Sequence, residues 1–177
     1  MTVPPPARSA GKPRQRATVR HRAARLAAVQ ALYQLEISDM SVGAVVDEFI
    51  NHRLGTADPE ASRGAKANEP LFKELVHGAD IRKEDIQGHI VPSLSEGWTY
   101  DRLEIILRCI LRLGTFELLV RFEAPAAVIL SEYVHIADEF FSGSEPGVIN
   151  GVLDRIARDL RPGELESHHD KSIRPTG

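Results

Sequence analysis

The stretch LEIILRCILRLGTFELLVR, residues 103–121, is the longest strongly apolar run of the chain, and its spacing decides the fold. Leu103, Ile106, Leu107, Ile110, Leu113 and Leu118 recur at helical rather than alternating intervals, which predicts a buried helix reaching about Arg121. Gly114 lies inside this helix, and Gly151 lies inside the last apolar run, where a glycine costs about 1 kcal/mol relative to alanine. Such a cost points to close helix contact, and two helices crossing at these glycines would explain both.

Working outward, Pro125 restarts the chain in a helix carrying Val128, Ile129, Tyr133, Val134, Ile136, Ala137 and Phe140, which SGSEPG breaks. The last helix is expected from about Glu145 to Leu160, with Val148, Val152, Leu153, Ile156 and Leu160 inward and RPG as its stop signal. Upstream, SLSEGWTYDRLE is a connection in which Trp98 is the candidate anchor between two halves. Before it, Asn68 caps a helical pattern through Leu71, Phe72, Leu75, Val76, Ala79, Ile86 and Ile90 that Pro92 ends, with Gly78 the candidate point of division. Residues 55–68 have turn residues and no apolar period, so they form a solvated loop. Ser41 caps a helix with Val42, Val45, Val46, Phe49 and Ile50 inward, ending near Gly55. The first helix begins near Thr18, with Leu26, Val29, Gln30, Tyr33 and Ile37 on one stripe and Leu32 and Leu35 on a second flank. Nothing alternates at period two. The expectation is an all-α fold of about seven helices in two small packed bundles, a single domain over 19–163 split near 97–100.

The formal net charge of -3 conceals a partition. Arg8, Lys12, Arg14, Arg16, Arg20, Arg22 and Arg25 precede the first acidic residue, Glu36, so the other 15 basic residues face all 25 acidic ones. A polyanion responds to local potential, so binding is expected at the head of the chain and not over the whole body. Residues 1–18 are rich in Pro, Gly and Arg with few large apolar groups, and are expected to be a basic arm that is disordered when free. Residues 164–177 are expected to be a flexible tail.

Catalytic patterns lack their required spacing: there is no P-loop, no GxGxxG after a strand, no GxSxG elbow and no HExxH. Cys109 is the one cysteine, set within an apolar run, so no disulfide or cysteine cluster can form and a buried structural thiol is expected. His168, His169 and Asp170 lie in the polar tail with nothing to preorganise a metal, and His77 and His89 flank apolar helical positions as ordinary surface or core histidines. No stretch approaches the roughly 18 apolar residues of a membrane span, and the N-terminus lacks the apolar core of a secretory signal, so the expected location is cytoplasmic, with no membrane and no cofactor. What remains is an arginine-bearing helix behind a basic arm. Guanidinium groups bind phosphate bidentately and stack on bases, a combination suited to single-stranded RNA. Arg14, Arg16, Arg20, Arg22 and Arg25 are therefore the candidate phosphate-binding residues, with Tyr33 a candidate for base discrimination.

RHRAARLAAVQALYQLEISD (20–39) resembles the opening helix of the NusB family, and ILRLGTFELL (110–119), AAVILSEYVHIADEF (126–140) and VINGVLDRIARDLRP (148–162) resemble its C-terminal half in order and spacing. LFKELVHG (71–78) matches the middle, so the resemblance spans about Arg20 to Pro162. It implies a non-catalytic transcription antitermination factor that binds boxA RNA jointly with NusE, a small-subunit ribosomal protein, within the transcription elongation complex. Arg22 and Arg25 match the family's arginine-rich segment and Gln30 and Tyr33 its AVQALY run, while His21 and Ala23 stand where arginines often occur. Asn150 and Asp154 match its NGVLD run, for RNA contact or for helix packing and solvation. The resemblance places partner contacts at Arg108, Arg112, Phe116 and Glu117 and at Ser144, Glu145 and Pro146; Leu107 and Ser144 replace residues that are often acidic. It further implies a monomer or weak homodimer. Two other readings stand beside it. One is an accessory RNA-binding domain like the N-terminal domain of rRNA cytosine methyltransferases, although this chain lacks the Gly-rich cofactor domain; the other is a protein-interaction module whose arm binds an acidic partner.

Overall fold

The structure, a computed structural model, describes residues 13–54 and 66–165. Among them the elements run α1 (Pro13–Ile37), α2 (Val42–His52), α3 (Glu69–Ile81), α4 (Lys83–Ser93), a 3-10 turn (Tyr100–Arg102), α5 (Ile105–Val120), α6 (Ala126–Phe140) and α7 (Glu145–Leu160), with no strand. The apolar run that opened the sequence reading becomes α5, buried from Cys109 through Leu118. It touches α1, α3, α4, α6 and α7 and is the axis of the molecule. A helix apolar on every side has no other stable position than the centre. One hydrophobic cluster joins residues of all seven helices, and α4 packs on α5 and α7 although it precedes the 97–100 connection.

Local chemistry accounts for the ends. The Ser41 hydroxyl accepts from the Ala44 backbone N–H at 3.2 Å and the Asn68 side chain from that of Leu71 at 3.0 Å, each satisfying a donor that the first helical turn leaves orphaned. The face of α1 built from Ala24, Ala27, Ala28 and Ala31 is buried, and such short side chains let it lie close against α3 and α5.

Four expectations are corrected. First, α1 starts at Pro13 rather than near Thr18, so residues 13–18 of the expected disordered arm are helical. Proline presets φ for a first turn, Arg, Gln and Ala are good helix formers, and extending a helix already nucleated by its packed half gains one hydrogen bond per residue ordered. Second, the break in the 69–93 segment falls at Arg82, not Gly78. Gly78 is where the Phe116 ring lies on α3, so close that a Cβ there would overlap it. Third, Gly114 and Gly151 do not meet: a Cβ at Gly114 would lie 2.7 Å from Leu153 Cδ1, while Gly151 is exposed with nothing within 4 Å. Fourth, Pro92 lies inside the last turn of α4 rather than beyond it, and the helix ends one residue later at Ser93.

The remainder of the arm (1–12), loop residues 55–65 and tail residues 166–177, which include His168, His169 and Asp170, lie outside the described residues. Of the expected tail, Leu165 packs on the core and the Glu164 carboxylate accepts from the Ala126 N–H at 2.9 Å, capping α6.

Candidate nucleic-acid interface

The head of α1 has no acidic residue in its first turn, so its arginines add to the positive end of the helix dipole. Arg14 and Arg16 are exposed and none of their side-chain nitrogens is hydrogen-bonded within the described residues. Arg20 is also exposed; its Nε donates to the Lys66 carbonyl at 3.0 Å, and its own carbonyl accepts from the Asn68 N–H, tying this turn of α1 to the start of α3.

One turn further the same residue type is used differently. Arg25 is 5% exposed and donates from Nε and Nη2 to the two oxygens of Glu117 at 2.7 and 2.9 Å. The buried Tyr133 hydroxyl donates to Glu117 Oε1 at 2.7 Å, and Arg25 Nη1 lies 3.7 Å from Glu132. Glu132 then accepts from Arg22, Nε at 3.0 Å and Nη2 at 2.6 Å. The order from core to surface is Tyr133, Glu117, Arg25, Glu132, Arg22, in which two carboxylates alternate with two guanidinium groups so that each charge is compensated where it is desolvated. Burial opposes the charge on Arg25, but the Glu117 ion pair outweighs it and holds the group charged well above its ordinary range. Burial, with Glu117 beside it, likewise pushes the Tyr133 hydroxyl well up, so it remains a donor. The expectation that Arg25 grips phosphate thus meets a guanidinium already used inside the protein; Arg22 keeps an outer edge in solvent.

His21, half-buried on the same turn, has its pKa lowered by burial and by Arg25, Arg121 and Arg20, which favours the neutral imidazole. Gln30 is exposed, Tyr33 packs half-buried against the core, and Asn150 is exposed on α7. The structure brings Arg20, His21, Arg22 and Arg25 together around one turn of α1, with Gln30 and Tyr33 further along that helix and Asn150 on another element.

The expected partner residues divide. Arg108 is half-buried with its guanidinium 5.9 Å from the Tyr100 ring centroid; Ser144 is exposed and Glu145 and Pro146 half-buried at the start of α7. Arg112, Phe116 and Glu117 are interior: Arg112 donates to Glu36 at 2.8 Å, Phe116 lies on Gly78, and Glu117 holds Arg25. In the free chain these three side chains are covered by the protein itself. Cys109 is buried, and burial pushes its thiol up to about 12, so it remains protonated and unreactive.

Sequence reasoning passed over Glu132 and Arg161. Glu132 stands between Ile129 and Ile136 on the inward stripe of α6, and a carboxylate there, in a chain whose first 35 residues carry basic but no acidic side chains, is its signal. Arg161 is buried in what reads as a stop signal; it donates to the Glu117, Leu118 and Ala124 carbonyls at 2.8–2.9 Å and so caps the C-terminal end of α5. The exposed Phe122 ring covers its guanidinium at 4.7 Å.

The sequence profile described as "NusB family" matches residues 22–158, which include the whole Arg22 to Tyr133 chain of charges. The chain belongs to the NusB family. Among its relatives, the transcription antitermination protein NusB of Maricaulis maris is 45% identical over 144 residues, covering 81% of this chain and 89% of its own. That of Caulobacter vibrioides is 47% identical over 138 residues, covering 78% and 92%. A solved NusB structure from T. maritima superposes with a TM-score of 0.63 at 28% identity, covering 82% of this chain and 96% of that one. The fold is shared too, at a TM-score of 0.61 and 24% identity, with the protein in a crystal structure of antitermination factors NusB and NusE in complex with dsRNA, covering 78% and 96%. The family therefore bears out the all-helical fold and the antitermination reading of the sequence. No helix among the described residues is long and apolar enough to cross a membrane.

Proposed function

We propose that this protein binds boxA-type RNA together with NusE and so supports transcription antitermination within the elongation complex, without catalysing a reaction. The observation that carries the reading is the open set Arg14, Arg16 and Arg20 at the acid-free head of α1, on a body whose remaining charge is negative. Such groups hold phosphates and set the orientation of the strand, while exposed polar and aromatic groups select bases. Gln30, Tyr33 and Asn150 are assigned that second role, Arg22 lends its outer edge to the first, and Arg25 supports the site from beneath.

The relatives' names support the antitermination role, and NusE is the partner of the NusB protein in the solved complex of this fold. Arg108, Ser144 and Glu145, the accessible part of the expected partner set, are assigned to the partner-binding side. A monomer or weak dimer in the cytoplasm suits this use, because the same surface must remain open to RNA and partner.

The test compares a boxA-like strand with a scrambled strand, each with and without NusE. NusE-dependent preference for the boxA-like strand is expected, with log affinity falling against log salt by about 0.7 per neutralised phosphate. Equal binding of both strands in the presence of NusE contradicts the reading.

A further inference from the structure

Glu132 has two cationic neighbours, and they are not equivalent. Arg25 is committed to Glu117 through two hydrogen bonds and only approaches Glu132 at 3.7 Å. Arg22 gives Glu132 both of its inward donors, Nε and Nη2, in the planar fork that matches a carboxylate. The carboxylate side chain is 7% exposed, whereas that of Arg22 is 40% exposed. Of the five N–H groups of a guanidinium, the fork uses two, and the remaining three point away from the carboxylate on the solvent side. Glu139, two turns further along α6, adds a weaker attraction to Arg22.

Two consequences of this geometry oppose each other. The carboxylate cancels charge that a phosphate would otherwise feel. It also fixes a long, rotamer-rich side chain in one pose before any ligand arrives, removing most of the ordering cost that a free surface arginine meets on binding. The fork decides between them, because a carboxylate serving only to neutralise has no need of two short, aligned hydrogen bonds from one side and a second guanidinium behind it.

Resting on the RNA-binding reading above, we propose that Glu132 is a positioning residue for RNA recognition, holding Arg22 with its outer edge turned to the phosphate path while Arg25 and Glu117 anchor Glu132 from the core. The position of Arg22 is then set by the interior of the protein, which gives this side chain a fixed place relative to the freer Arg14 and Arg16.

The test is a cycle of substitutions in the full chain, read in the presence of NusE as binding of a single-stranded boxA-like RNA oligonucleotide across a salt series. In the natural sequence, Arg22→Ala is expected to weaken binding about tenfold, and to reduce the log-log salt slope by about 0.7. In a Glu132→Asp background, which keeps the charge and shortens the reach, Arg22→Ala should cost about threefold or less. Glu132→Gln serves as the second background, since it removes the charge at nearly constant shape, and thermal unfolding verifies that each variant is folded. A cost of Arg22→Ala that is the same in all backgrounds overturns the proposal, and so does a larger cost with Glu132→Gln, which would make the carboxylate a mask. Failure of the natural chain to bind, or unchanged binding when Arg14, Arg16 and Arg20 are all replaced by Ala, sinks the RNA-binding reading itself. Loss of binding in that triple variant together with an additive cycle overturns only the role of Glu132.

Discussion

Arg16 and Arg25 stand on the same helix, yet the first is exposed and paired with no carboxylate among the described residues, while the second is buried against Glu117 and Glu132. Both belong to the run of seven basic residues that reads as a uniform patch in the sequence. What separates them is the neighbour. From Arg22 onward α1 lies against α5, and Glu117 of α5 and Glu132 of α6 meet the arginines; before Arg20 no acid of the described residues is paired with them. Charge in a sequence is a supply of cations, and packing decides which of them remain for a ligand.

The sharpest way to break this contrast is at its buried end. Glu117→Ala leaves the Arg25 guanidinium and the Tyr133 hydroxyl without their partner in a dry site, and should cost about 3–5 kcal/mol of stability by chemical denaturation. A loss below about 1 kcal/mol would place Arg25 in the same class as surface ion pairs. Next in size is the closeness of packing that holds α3 on α5. Gly78→Ala overpacks the Phe116 ring at about 1–3 kcal/mol, offset by about 1 kcal/mol of helix propensity, for a net loss on the order of 1 kcal/mol. With Phe116→Leu already in place the same change should become neutral or stabilising, and an unchanged loss would remove Phe116 as its cause.

A smaller effect is expected at His21, where the exposed head of α1 gives way to its buried stretch. The folded-state pKa of His21 is depressed by burial and its arginine neighbours, so the stability this contributes is present above its unfolded value of about 6.5 and is lost as pH falls through the folded one. NMR titration should give a midpoint below that value in the free protein and a higher one with RNA bound, because a phosphate favours the imidazolium. A midpoint that RNA leaves in place would put His21 off the phosphate path.

The fold was largely legible because it rests on periodicity and caps. The apolar run at 103–121, the caps Ser41 and Asn68, and the restart at Pro125 each act through neighbours close in sequence, and each is where expected. What could not be read is what depends on residues distant in the chain. Gly78 looked like a helix break because its partner, Phe116, lies on another helix, and Arg112 and Glu117 looked available because their counterparts, Glu36 and Arg25, are equally remote. The candidate site divides along the same line: Arg14, Arg16 and Arg20 needed only the local absence of acid, whereas the fate of Arg22 and Arg25 needed Glu132 and Glu117.

The central claim is that the open head of α1 binds the polyanion and the buried turn beneath it holds the fold. Replacing Arg14, Arg16 and Arg20 together by Ala, and measuring RNA affinity over a salt series beside thermal unfolding, addresses both halves at once. The account predicts stability within about 0.5 kcal/mol of the natural chain, with the log-log slope reduced by about 0.7 for each phosphate left without its arginine. An unchanged slope, or a variant that unfolds as readily as one lacking Glu117, would contradict it.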